Sequence, residues 1–227
     1  MNDKGVFFQI YITLRQALGH QNWWPAHSPF EVMVGAVLTQ NTNWKNVEDA
    51  IENLREAGLL NASAMNEASA EDLQELVRPA GYYRQKSARL KRLAAWVKER
   101  HVVGDTELGA LKWEDTGTLR EELLSINGIG PETADSILLY ALDKAVFVVD
   151  TYTVRIMARH ELIDPTCGYG EIQEEFQHRL PPDVEIFKDY HAQLVEVGKR
   201  FCKKTSPRCE ECPLLHLLGE PVLDEFR

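Results

Sequence analysis

The stretch LLSINGIGPETADSILLYAL, residues 123–142, constrains the fold of this chain more than any other. An apolar helical run ends at Asn127-Gly128, and Gly128-Ile129-Gly130 leaves room only for a tight turn before the helical pattern resumes. Pro131 then stands at the first helical position, where a missing N–H is harmless. Glu132 falls in the first turn, where an acid suits the helix dipole. The reading is two short helices joined by a glycine hairpin. Glycines let a second backbone approach closely. The N–H groups of the turn and the helix start then face outward as an anion site. Gly128, Ile129, Gly130 and Thr133 are the candidates to hold a phosphate there, without sequence preference. Ile129 is expected to pack inward and hold the hairpin.

The rest of the chain is also helical in pattern. Apolar residues recur at helical spacing in 30–40, 47–60, 73–77, 90–97, 119–126, 134–142, 154–158 and 190–201. Breakers separate them at Trp24-Pro25, 78–81, 128–131, Asp164-Pro165 and Pro181-Pro182. Only Ala145–Val149 reads as a strand, and a strand without a partner is better explained as a buried connector. About ten helices with short loops predict an all-α protein. With 227 residues and 44% hydrophobic content there is enough apolar material for a real core. No stretch reaches the roughly 18 apolar residues of a membrane span, and no export signal is legible, so a cytoplasmic protein is expected.

The net charge of −10 argues against a uniformly basic nucleic-acid binder. The charge is unevenly placed, however. Residues 43–75 hold eight acids and two bases, whereas 78–101 hold eight bases and one acid. A second basic cluster is Lys199, Arg200, Lys203, Lys204 and Arg208. Such runs are usually solvated helix faces; the alternative is a pair of phosphate-facing patches on one side of the molecule.

Three of the four cysteines, Cys202, Cys209 and Cys212, crowd into a C-x6-C-x2-C pattern. A disulfide framework is unexpected in a chain of this length without an export signal, so a metal or cluster site is the first reading. Asp150 in VFVVDTYTVRIMAR precedes a helical run and is expected to cap it. His20, His27 and His191 show no metal-ligand spacing and read as core or surface residues.

Taken together, the hairpin at 123–142, Asp150 in VDTYTVR, Gln40-Asn41-Thr42 in GAVLTQNTNW and the cysteine loop CKKTSPRCEEC at 202–212 resemble the helix-hairpin-helix (HhH-GPD) DNA glycosylases of the endonuclease III-like superfamily. The resemblance runs from about residue 23 to 213. It implies two helical subdomains with a DNA-binding cleft between them. One is a six-helix barrel over 28–143 carrying the hairpin; the other is formed by 1–27 with 144–227 and carries the cysteine loop. Trp23-Trp24-Pro25, Trp44 and VRPAGYYRQKSARLKRL at 77–93 are closest to the 3-methyladenine DNA glycosylases of that group.

Two departures stand out. Bifunctional members carry a catalytic lysine two residues after the second hairpin glycine; here that residue is Glu132, which cannot form a Schiff base. The family's fourth cluster cysteine falls at Leu218, and a thiolate-ligated cluster calls for four ligands. Three readings of the loop stand open: a [4Fe-4S] cluster with an unusual fourth ligand, a zinc site ending at His216, or a loop without metal.

The resemblance implies a monomeric base-excision repair glycosylase acting on double-stranded DNA, flipping out a damaged base and hydrolysing its N-glycosidic bond without lyase activity. An alkylated purine such as 3-methyladenine is the expected lesion. Asp150 would be catalytic, stabilising an oxocarbenium-like sugar or orienting water. Trp23, Trp24, Pro25, Trp44 and Lys199 would line the base pocket, Gln40 and Asn41 would fill the gap in the duplex, and Lys203 and Lys204 would meet phosphates. The alternatives are a glycosylase for oxidised pyrimidines or mismatched bases, and a damaged-DNA-binding protein without catalysis.

Overall fold

The computed structural model describes residues 3–100 and 108–223. Among these the chain is helical and contains no strand, an all-α protein. Its elements are α1 (Asp3–Leu18), α2 (Pro29–Leu38), α3 (Trp44–Glu56), α4 (Ala62–Glu67), α5 (Ala70–Leu76), α6 (Tyr83–Arg100), α7 (Gly109–Lys112), α8 (Thr116–Ser125), α9 (Pro131–Ser136), α10 (Thr151–Arg159), α11 (Tyr169–Arg179), α12 (Val184–Arg200) and α13 (Leu215–Leu218). Helices α1, α4, α7, α11 and α13 are additional to the periodic runs of the sequence. The run 134–142 is not one regular helix: α9 ends at Ser136 and widens into a π-turn over Ile137–Ala141. No helix among the described residues is long and apolar enough to cross a membrane.

The chain divides into two compact units, Trp24–Lys144 and Met1–Trp23 with Ala145–Arg227. In the first, α2 is the central helix. Ser28 caps it by accepting from the Glu31 N–H, Pro29 opens it, and every residue from Phe30 to Leu38 is buried. Around it, α3 is amphipathic: Val47, Ala50, Ile51 and Leu54 fall on one helical face and are buried. Side-chain caps from Asn43, Asn61, Ser69 and Asp115 start α3, α4, α5 and α8, each stabilising its helix by about 1 kcal/mol.

Helix α6 brings a charge inside this unit. Lys86 is fully buried, and its Nζ donates to the carbonyls of Leu38 (2.9 Å) and Ala80 (2.7 Å). Burial pushes this amine down to about 8. Lys86 therefore does not belong to the surface patch that the basic run 78–101 suggests. It joins the end of α2 to the turn before α6.

The second unit has an aromatic core. Phe147 stacks on Phe176 (ring centroids 4.1 Å apart, 11° between planes) and meets Phe187 and Tyr190 edge-on. Phe147 belongs to the apolar connector 145–149, which is neither helix nor strand and is buried from Val146 onward. It joins no sheet. Side chains of α11 satisfy its backbone instead: the Phe147 N–H donates to Gln177, the Phe147 carbonyl accepts from Gln173, and the Val149 N–H donates to the Tyr169 hydroxyl. The connector thus delivers Asp150 to the start of α10. At the other end of the unit, buried Asp189 pairs with Arg15 at 3.2 Å and accepts from the Gln21 N–H, anchoring the segment that leads to Trp23.

Candidate functional site

In the unit 24–144, the hairpin is rigid on its inner side and open on its outer side. Gly128 has φ +95°, and a Cβ there would lie 2.4 Å from Arg89 Nε, so both conformation and space demand glycine. Gly130 has an ordinary φ of −95°, and a Cβ there would meet nothing within 4 Å. Ile129 between them is buried, so only its backbone remains for an outside ligand. Across the hairpin, buried Asp135 on α9 receives two bonds from Arg120 on α8, at 2.7 and 3.0 Å.

Gln40 and Asn41 part company. The Gln40 amide nitrogen donates to the Gly128 carbonyl (3.1 Å) and the Thr133 hydroxyl (2.9 Å), and its oxygen accepts from Arg89. Gln40 is thus tied to the hairpin, and the Thr133 hydroxyl, an expected phosphate contact, is turned to Gln40. Asn41 is exposed, with φ +53°. Tyr82, which sequence reasoning passed over, is similar: it is 64% exposed with φ +47° at the start of α6. An exposed aromatic can stack on a base. Lys86 holds the backbone at Leu38 and Ala80, two or three residues before each of these side chains.

The basic run of α6 is narrower than its composition. Arg78 pairs with Glu75, Lys98 with Glu67, and Arg100 with Glu114 and Glu122. Arg89 and Arg92 are different, because they lie against the hairpin; Arg92 donates to the Asn127 carbonyl at 3.2 Å. Of the other bases, Arg84 lies over the Tyr83 ring and Lys91 donates to the Ala68 carbonyl, so Arg89 and Arg92 are the two placed beside the turn.

Trp24 contacts Trp44 and Tyr140 edge-on, each with ring centroids 5.5 Å apart, and its ring packs on Gly35 of α2. Tyr140 was not legible as a site residue, since it sits in an apolar helical run. Pro25 is exposed beside them.

In the other unit, Asp150 caps α10 as its position predicts. Its Oδ1 accepts from both the Thr153 N–H (2.7 Å) and the Thr153 hydroxyl (2.8 Å). Its Oδ2 lies 3.8 Å from His191 Nε2 on α12. Both side chains are about nine-tenths buried. Burial pushes the His191 imidazole below its usual range; Asp150 opposes that shift and Lys199 reinforces it. Lys199 itself is exposed and holds its ammonium 5.8 Å from the centre of the Trp23 ring.

The cysteine loop follows α12. Cys202, Cys209 and Cys212 line one pocket together with Arg159 of α10. Arg159 is buried and donates to Cys202 Sγ (3.3 Å) and to the carbonyls of Lys203 (2.8 Å) and Lys204 (3.1 Å). Burial raises the Cys209 and Cys212 thiols above their usual range, and the neighbouring sulfurs add to the rise. His216 and Cys167 do not line this pocket, and Leu218 holds the fourth family position. No group of three or more His, Cys, Asp or Glu among the described residues is placed to hold a metal ion. Three thiols with Leu218 at the fourth position do not make a four-thiolate set, and His216 stands outside the pocket that the cysteines share with Arg159 and His160. Lys204 is exposed and Lys203 half-buried.

Comparison with known proteins gives the chain a family. The family model of the HhH-GPD superfamily base excision DNA repair proteins matches residues 34–182. A Methanocaldococcus jannaschii protein named provisionally as a DNA repair glycosylase is 50% identical over 213 residues, 94% of this chain and 96% of that one. Endonuclease III of Thermotoga maritima is 32% identical, covering 81% of this chain and 79% of its own. Among solved structures, the H. pylori 3-methyladenine DNA glycosylase bound to 1,N6-ethenoadenine superposes with a TM-score of 0.73 at 32% identity, over 85% of this chain and 97% of that one. An endonuclease III–DNA complex shares the fold with a TM-score of 0.77 at 22% identity, over 96% and 95%.

Proposed function

Because the chain belongs to the HhH-GPD superfamily of base excision DNA repair proteins, and is a DNA glycosylase by that membership, we propose that it removes alkylated purines such as 3-methyladenine from duplex DNA by hydrolysis alone. The observation that carries this reading is the ring cluster Trp24, Trp44 and Tyr140. An alkylated purine is cationic, and aromatic faces attract both its ring and its charge. The ring of Trp23 already faces the Lys199 ammonium, so the Trp24 cluster is the better surface for a cation. The 32% identity to a 3-methyladenine glycosylase supports the same lesion.

A cationic base is already a good leaving group and needs no proton. What the reaction requires is stabilisation of the positive sugar. Asp150 supplies it, with Oδ1 held by the α10 cap and Oδ2 left to face the developing charge or a water. Glu132 at the lysine position of bifunctional relatives removes the amine that a lyase step needs. The hairpin backbone at Gly128–Gly130, with Arg89 and Arg92 beside it and Lys203 and Lys204 in the other unit, binds phosphates. Asn41 and Tyr82 enter the stack that the flipped base vacates. The protein acts as a monomer, in the compartment that holds the DNA.

The test is release of free 3-methyladenine from methylated duplex. Asp150→Asn is expected to slow release by about 10²–10⁴-fold with little change in melting temperature, since asparagine also caps helices well. Full release by that variant defeats the assignment of Asp150. A lesion panel in which only oxidised pyrimidines or mismatched thymine are released returns the chain to the endonuclease III-like reading. Tight lesion binding without turnover identifies a binding protein. Borohydride trapping on an abasic site contradicts the argument from Glu132.

A further inference from the structure

We infer that His191 is a positioning residue for Asp150, holding the carboxylate oxygen that the helix cap leaves over. This rests on the catalytic assignment of Asp150 above, and its geometry is independent of the lesion. The two carboxylate oxygens have different roles. Oδ1 takes both Thr153 bonds and fixes the group to α10. Oδ2 has His191 Nε2 at 3.8 Å, from a helix that packs closely on α10. That separation is too long for a hydrogen bond. Contacts of this kind commonly shorten when substrate closes the site.

The chemistry asks for a neutral imidazole here. A neutral N–H aimed at Oδ2 limits its rotation and leaves the full negative charge for the sugar. A protonated imidazole would pair with the carboxylate and draw that charge away from the reaction. The surroundings favour the neutral form. His191 is buried, which disfavours its cation, and Lys199, two turns further along α12, disfavours it further. Asp150 at the start of α10 is the opposing influence. The other charges nearby are engaged elsewhere: on α10, Arg155 donates to the Cys202 carbonyl and Arg159 to the cysteine loop, and beside α12, Arg15 and His20 lie against Asp189. The sequence offered no sign of this role, because a histidine without metal-ligand spacing reads as a core or surface residue.

Two measurements test it. The first is single-turnover release of base from methylated duplex by His191→Gln and His191→Leu. Glutamine keeps an N–H near the Nε2 position, and leucine keeps only bulk. The expectation is near wild-type turnover for glutamine. For leucine the loss is about tenfold to a hundredfold, with duplex affinity unchanged, in line with the penalty for a misplaced catalytic group. Equal rates for both variants, or a leucine variant as fast as wild type, overturn the inference. The second measurement needs neither activity nor a destabilising substitution. Proton NMR follows the His191 ring titration in the wild type and in Asp150→Asn. Removing the carboxylate charge must move the His191 midpoint to lower pH; an unmoved midpoint overturns the pairing. If Asp150→Asn keeps full activity while the His191 midpoint moves, the catalytic assignment has failed and the pair remains.

Discussion

Two loops of this chain are each organised around one arginine, and they differ in what that arginine leaves open. At the hairpin, Arg89 fills the space beside Gly128 and reaches Gln40, while the outer face at Gly130 stays clear. At the cysteine loop, Arg159 is buried beneath the turn and ties down Cys202, Lys203 and Lys204 from inside. The hairpin keeps both glycines of the family pattern. The cysteine loop keeps three of four thiols and has a leucine in place of the last. The contrast teaches that one buried arginine can gather a loop's carbonyls from inside, while another fills the space beneath a glycine and leaves the outer face clear.

The largest effect expected on stability is at the second loop. Arg159→Met leaves the Lys203 and Lys204 carbonyls unsatisfied, a loss of about 3 kcal/mol, or roughly 6–12 °C in melting temperature at this size. An unchanged melting temperature in calorimetry would show that something else gathers the loop and would break the comparison. Gly128→Ala comes next, at about 2 kcal/mol, from the positive φ and from the collision with Arg89. The double variant with Arg89→Ala should recover part of that loss in a denaturant cycle; strict additivity would mean that Arg89 does not fill the turn.

Lys86→Met is expected to cost about 1 kcal/mol near neutral pH, the lost carbonyl bonds being partly offset by removal of a buried charge. Its pH dependence has a definite sign. The folded amine loses its proton near 8, whereas the unfolded one holds it to its ordinary value of 10.5. Between those limits the unfolded chain binds more protons, so the contribution of this group to stability rises with pH. The gap between wild type and variant in urea midpoints should therefore widen from pH 8 to 10, and a constant gap would mean that Lys86 is not desolvated. The smallest stability change is expected at Gly130→Ala, within about 0.5 kcal/mol, because its Cβ would project into open space. Duplex affinity should nevertheless fall about fivefold, equivalent to roughly 1 kcal/mol. Unchanged affinity would place the phosphate elsewhere on the hairpin.

Much of the architecture is legible in the sequence. Helical periodicity, the breakers and Pro131 predict the hairpin and the all-α class, because these signals lie within a few residues of the structure they cause. Asp150 as a cap is legible for the same reason, and the solitary strand-like segment is indeed a connector. Length and regularity are less so: α4 is a six-residue helix too short to show a period, and the π-turn after Ser136 leaves no mark in an apolar run. The basic run 78–101 misleads in part. Charge is read residue by residue, whereas exposure and pairing depend on what lies opposite, and here a lysine is buried and three of the bases meet acids.

By itself, then, the sequence determined the helical class, the glycine turn, the helix caps and the family, all carried by local spacing. Tertiary structure alone decided that Gln40 serves the hairpin while Asn41 and Tyr82 are presented to solvent. It also decided that Tyr140 joins Trp24, that Arg159 stands in the cysteine loop, and that His191 faces Asp150. The reason is physical. Each of these rests on which residues far apart in the chain meet, and which are left facing solvent, once the helices pack.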